Sequence, residues 1–104
     1  MRLEVYESSE GRVPFLDWFD SLDGTLRRAV QRRLRAIEDN EHFGKRKNLR
    51  GGLHELKFRQ VIRIYFAEID GLIVLLLGGS GKRDQEREIA KARARLKDFE
   101  HRTK

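Results

Sequence analysis

Residues 53–83 read LHELKFRQVIRIYFAEIDGLIVLLLGGSGKR, and the architecture turns on them. Three runs rich in Val, Ile, Leu and Phe (53–58, 61–68 and 72–78) follow one another with little between them. Asp70-Gly71 joins the last two, a pair suited to a tight hairpin because such turns need positive φ. The run 72–77 is apolar at every position. A strand of that kind lies at the centre of a sheet or is covered on both faces.

Working outward, Leu3 and Val5 alternate with Arg2, Glu4 and Tyr6, which predicts a short opening strand. Pro14 suits the first turn of a helix, where its missing N–H is harmless. Phe15, Trp18, Phe19 and Leu22 then form an aromatic stripe at helical spacing, read as core packing. Asp23-Gly24 marks a turn, with Thr25 as the expected N-cap of a second helix. Leu26, Ala29, Val30, Leu34 and Ile37 carry that helix to residue 39 or 40. Residues 40–52 read as a polar connection. Beyond the sheet, Gly78-Gly79-Ser80-Gly81 allows a sharp turn, and Ile89, Ala92, Leu96 and Phe99 define a last helix from about Asp84. The expected order is βααβββα over a single domain, 1–104. That is an α+β fold: a small antiparallel sheet with an N-terminal helical hairpin and a C-terminal helix.

With 23 Lys+Arg against 17 Asp+Glu, the net charge of +6 favours a polyanionic partner such as nucleic acid. The absence of cysteine excludes disulfides, thiolate metal sites and cysteine nucleophiles. His42, His54 and His101 lack metal-ligand spacing, so no metal or other cofactor is expected. The glycine segment before Lys82 lacks the spacing of a nucleotide-binding phosphate loop. No apolar run could span a bilayer, and the charged start (Arg2, Glu4, Glu7) is unlike a secretory signal. A cytoplasmic protein without membrane contact is the expectation.

The chemistry-bearing residues gather around the sheet. Lys57 and Arg59 share a strand face by their spacing, and Arg63 and Arg83 stand close by in sequence. If these converge, guanidinium groups could hold a phosphodiester and stabilise charge developing on it; the alternative is a solvated face with scattered cations. His54, beside Glu55, is a candidate proton-transfer group. Arg28, Arg32 and Arg35 line up along the second helix, either solvated and paired with Glu38 or Asp39, or awaiting an acidic partner.

Taken together, Gly52-Leu53-His54-Glu55-Leu56-Lys57-Phe58, Ile62-Arg63-Ile64-Tyr65-Phe66, 73–79, Lys82-Arg83 and Ile89-Ala90-Lys91-Ala92 resemble the RelE/ParE superfamily of toxins. The likeness is nearest to its HigB-like branch, the addiction module killer proteins, and also covers the helical hairpin and Asn48-Leu49-Arg50-Gly51. The resemblance implies the toxin of a type II toxin–antitoxin pair, an mRNA interferase. Its RelE-like and HigB-like members are metal-independent endoribonucleases that cut ribosome-bound mRNA and so inhibit translation. It also implies a cognate antitoxin of helix-turn-helix type, with operator DNA reached only through that partner. Carried over by position, Lys57, Arg63 and Arg83 are the implied catalytic residues. Arg59, Lys82, Arg50 and Lys47 are the implied RNA- and phosphate-binding residues, and Tyr65 joins His54 as a candidate for proton transfer. The tyrosine that RelE carries on its last helix is replaced by Ile89, and the tail offers only His101. A ParE-like, non-catalytic inhibitor of DNA gyrase or another protein target therefore stays open, as does an inactive co-repressor.

Overall fold

In the computed structural model, which describes residues 1–40, 43–58 and 61–103, the all-apolar run becomes the strand with the most neighbours. The elements are β1 (Arg2–Val5), α1 (Pro14–Asp20), α2 (Gly24–Asn40), β2 (Arg46–Asn48), β3 (His54–Phe58), β4 (Ile62–Ile69), β5 (Ile73–Gly81) and α3 (Gln85–Arg102). They build a five-stranded sheet in the order β1-β5-β4-β3-β2. β5 lies between β1 and β4, and both of its faces are covered, as its sequence requires. The α+β architecture and the expected element order are present, with β2 as an added strand.

Four features differ from the sequence reading, the first being that the glycine segment 78–81, expected to turn sharply, continues β5 as far as Gly81. β1 pairs with β5 in parallel, Arg2 opposite Ile73 and Val5 opposite Leu76, so the sheet is not wholly antiparallel. The chain passes through two helices and three strands before it returns beside β1, and β5 arrives running in the same direction. The polar connection 40–52 contains the edge strand β2, antiparallel to β3. All three of its side chains are exposed, so no alternation of polarity betrays it. The N-cap of α2 is also shifted: the Asp23 carboxylate, rather than Thr25, accepts the Leu26 N–H at 2.9 Å. Asp70 (φ 55°) and Gly71 (φ 69°) form the expected left-handed pair at the β4–β5 turn.

Each face of the sheet has its own core. On one, Phe15 of α1 and Val30 and Ile37 of α2 pack on Leu56, Ile64, Phe66, Val74 and Leu76. On the other, Ala92 and Leu96 of α3 pack on Leu53, Tyr65, Ala67, Leu75 and Leu77. The Tyr6 hydroxyl donates to the Asp98 carboxylate at 2.5 Å and ties the end of β1 to α3. Among the described residues, no helix is long and apolar enough to cross a membrane.

A bulge keeps both faces in register. Tyr65 opposes Gly78 but Phe66 opposes Leu76, which leaves Leu77 as the extra residue. Leu77 and Gly78 consequently both face α3. A Cβ on Gly78 would lie 2.7 Å from the Arg95 guanidinium, which donates to the Leu77 carbonyl at 2.9 Å. On the opposite face Trp18 lies flat against Gly79, where a Cβ would come within 2.4 Å of the indole. Gly79→Ala is therefore expected to lower stability by about 1–3 kcal/mol through overpacking. Urea unfolding followed by the fluorescence of Trp18, the single tryptophan, measures it.

Candidate functional site

Strand alternation sets the floor of the site. In the β3–β4 ladder Lys57 opposes Arg63 and Glu55 opposes Tyr65, so these four side chains share the α3 face. On the next strand out, Lys47 opposes Glu55. The α3 helix covers this face over Tyr65 and Ala67, but it begins only at Gln85. The end of the sheet that carries Lys57, Glu55 and Arg63 is left as a cleft of about 330 Å³. Lys45, Arg46 and Lys47 form one wall, and Gln85 stands opposite.

Arg63 is the least ordinary residue in this cleft. Its side chain is only 4% exposed, and that of Glu55 8%, yet Nε and Oε1 are 3.7 Å apart, too far for a hydrogen bond. Arg63 Nη1 donates to its neighbour's carbonyl, Ile62 O, at 3.1 Å. Nε is buried and has no partner. Glu55 Oε2 in turn accepts from the Gln85 amide at 3.2 Å. A guanidinium with an idle donor, at the floor of an open cleft rimmed by lysines, is chemically suited to an anion.

Of the residues named from sequence, Lys47, Lys57 and Arg63 thus come together. Lys82 and Arg83 do not join them, because they line an adjoining, more open cleft of about 560 Å³ with Gln85 between the two. Arg50 lies apart, in the loop after β2 with φ 75°, where its carbonyl accepts from Arg93 of α3 at 3.0 Å. Arg59 lies outside the described residues.

The two proton-transfer candidates are placed elsewhere. Tyr65 shares the α3 face but is wholly buried beneath the helix, its hydroxyl 2.9 Å from Ser80 Oγ. Burial raises its pKa, so no phenolate is on hand. His54 lies on the opposite face of the sheet, stacked on Phe66 with ring centroids 5.4 Å apart. Burial first, and then the Arg46 charge, lower its pKa, against a smaller upward pull from Glu68. Sequence reasoning missed Glu55 as a site residue. Period-two spacing from Lys57 was the available signal, whereas nothing local marks Gln85. No family model matches the chain, and no curated protein matches it.

Two stability measurements follow from this geometry. Removing Glu55 alone (Glu55→Ala) strands the Arg63 charge and is expected to cost about 3–5 kcal/mol in urea unfolding. Combining it with Arg63→Met should restore much of the loss. For His54, the folded-state pKa lies below the ordinary value of about 6.5, so the unfolded chain gains its proton first as pH falls. The contribution of neutral His54 is complete above about pH 6.5 and is lost as pH falls toward the lowered value. His54→Phe should flatten that part of the stability profile, as read by unfolding at a series of pH values.

Proposed function

We propose that this chain is the toxin of a type II toxin–antitoxin pair, a ribosome-dependent mRNA endonuclease that works in the cytoplasm and is held in check by a cognate antitoxin. The observation that carries the reading is the buried Arg63 guanidinium with its unpartnered Nε, at the floor of a lysine-rimmed cleft. The resemblance of the β3–β5 segments and the last helix to RelE-like and HigB-like toxins supports the same reading.

The chemistry fits a transesterification. Arg63 and Lys57 hold the non-bridging oxygens of a phosphodiester and stabilise the charge that builds on them in the transition state. The 2′-hydroxyl of the preceding nucleotide attacks phosphorus, and its proton passes to the Glu55 carboxylate. The bond from phosphorus to the 5′-oxygen breaks, and that oxygen takes a proton from the Lys57 ammonium. The products are a 2′,3′-cyclic phosphate and a 5′-hydroxyl end. The ribosome supplies the strand geometry that brings the 2′-oxygen into line. Lys82 and Arg83, in the adjoining cleft, steady the following part of the strand.

One observation favours a second reading, a non-catalytic inhibitor of gyrase or another protein. With His54 and Tyr65 elsewhere, Glu55 is the one carboxylate lining the cleft among the described residues, and Gln85 and Arg63 already engage it. Primer extension on a reporter mRNA after a brief pulse of expression separates the two. New 5′ ends on translated message alone, lost with Lys57→Ala, are expected. Lys57 is exposed, so its removal tests the site without disturbing the buried pair as Arg63→Ala would. Growth arrest with intact mRNA and inhibited supercoiling would overturn the nuclease reading.

A further inference from the structure

Lys57 borders a second recess on its other side. This cleft, about 300 Å³, lies between α2 and β3 and is lined by Ala29, Arg32, Arg33, Ala36, Lys57 and Phe58. Among the described residues, no acidic side chain lines it. Among the described residues, none of the five α2 arginines forms an ion pair, and Glu38 and Asp39 on the same helix engage none of them. Arg33 is also held in place before any ligand arrives. Its guanidinium carbon sits 5.6 Å from the Phe58 ring centroid, and Gly44 packs so closely that a Cβ there would be 2.5 Å from Nη1. A cation fixed in this way gives up little further rotamer entropy when it binds.

We propose that the α2–β3 recess is a second RNA subsite, which grips the backbone of the strand next to the phosphodiester at Arg63. The proposal rests on reading the Arg63 cleft as a phosphodiester site. One positive band then runs from Arg32 and Arg33 on the α2 side, around the sheet edge at Lys57, to Arg63 and Lys47 on the other face. A flexible single strand, with a charge at every nucleotide, can enter two recesses joined by a shared lysine. The fixed Arg33 plane, backed by Phe58, offers a base or phosphate a ready contact. An acidic protein helix is a poorer match, because it would meet the outward Arg28 and Arg35 before reaching a recess floored by two alanines.

Non-cleavable 2′-O-methyl RNA tests this with the intact protein, an octamer by fluorescence anisotropy across a salt series and a dinucleotide by NMR titration. The double variant Arg32→Ala/Arg33→Gln should weaken the octamer and flatten its log K against log salt slope by about 0.7 for each lost phosphate contact. Dinucleotide binding should be unchanged. The single variant Arg32→Ala, at an exposed position that disturbs no packing, should lose one such contact. Arg28→Ala/Arg35→Ala, which flank Arg32 on the same helix without lining the recess, should change the slope less than Arg32→Ala alone. An octamer slope insensitive to Arg32 and Arg33, or an equal loss in the Arg28/Arg35 control, would overturn the subsite. Dinucleotide binding that still depends on Lys57 would then keep the primary site standing. Failure of both oligonucleotides to bind at low salt would overturn both, and arginine-dependent binding of poly-glutamate alone would assign the recess to a protein partner.

Discussion

β5 has to be hidden on both faces and along both edges, and the rest of the molecule is arranged to do this. Val74 and Leu76 point to the helical hairpin, and Leu75 and Leu77 to α3. β1 covers one edge and β4 the other. Helices on the two faces must therefore be supplied from opposite ends of the chain. The bulge at Leu77 is what lets one strand serve both layers, since two successive residues face α3 before the alternation resumes at Gly79. Two glycines follow from this crowding, one beneath Arg95 and one beneath Trp18.

The candidate site sits where that covering ends. On β4 the α3 face changes along the strand from Ala67 through Tyr65 to Arg63. The helix shields the first two and starts too late to cover the third. Arg63 is therefore buried by strands and neighbouring side chains, with Glu55, Lys57 and Gln85 beside it on the α3 side. The short polar strand β2 extends the sheet by one more row and brings Lys47 level with Glu55. A cationic cleft at the sheet's end thus comes from the mismatch between a long antiparallel hairpin and the helix packed across it.

Much of this was legible in residues 53–83, because hydrophobic runs and the Asp70-Gly71 turn are local signals. The alternation that buries Leu56 and Phe58 on one face already assigns His54 to that face, and Glu55 and Lys57 to the other. The ordinary near-neutral pKa of imidazole drew attention to the histidine instead of its neighbour. Other features are set by contacts distant in sequence. A strand's alternation is the same whether it pairs in parallel or antiparallel fashion, so β1 carried no sign of its direction. β2 is exposed at every position, so no burial pattern marks it. The sealing of Tyr65 depends on where α3 lies, and the partnership of Gln85 with Glu55 spans thirty residues of chain.

The Glu55–Arg63 pair also bears on why the site is built as it is. A buried ion pair at 3.7 Å, with one donor idle, recovers little of what it costs to take two charges out of water. Apolar residues of similar volume would pack there with at least equal stability. Arg63 cannot be exchanged for lysine at no loss either, since only the guanidinium fork presents several donors in one plane. A bound anion would supply the partner that Glu55 fails to be, and would stabilise the folded chain in proportion to its occupancy. On the proposed reading, the weakness of the internal pairing is what leaves the guanidinium available to an anion. A tighter, bidentate contact between Glu55 and Arg63 would steady the fold and close the cleft to phosphate.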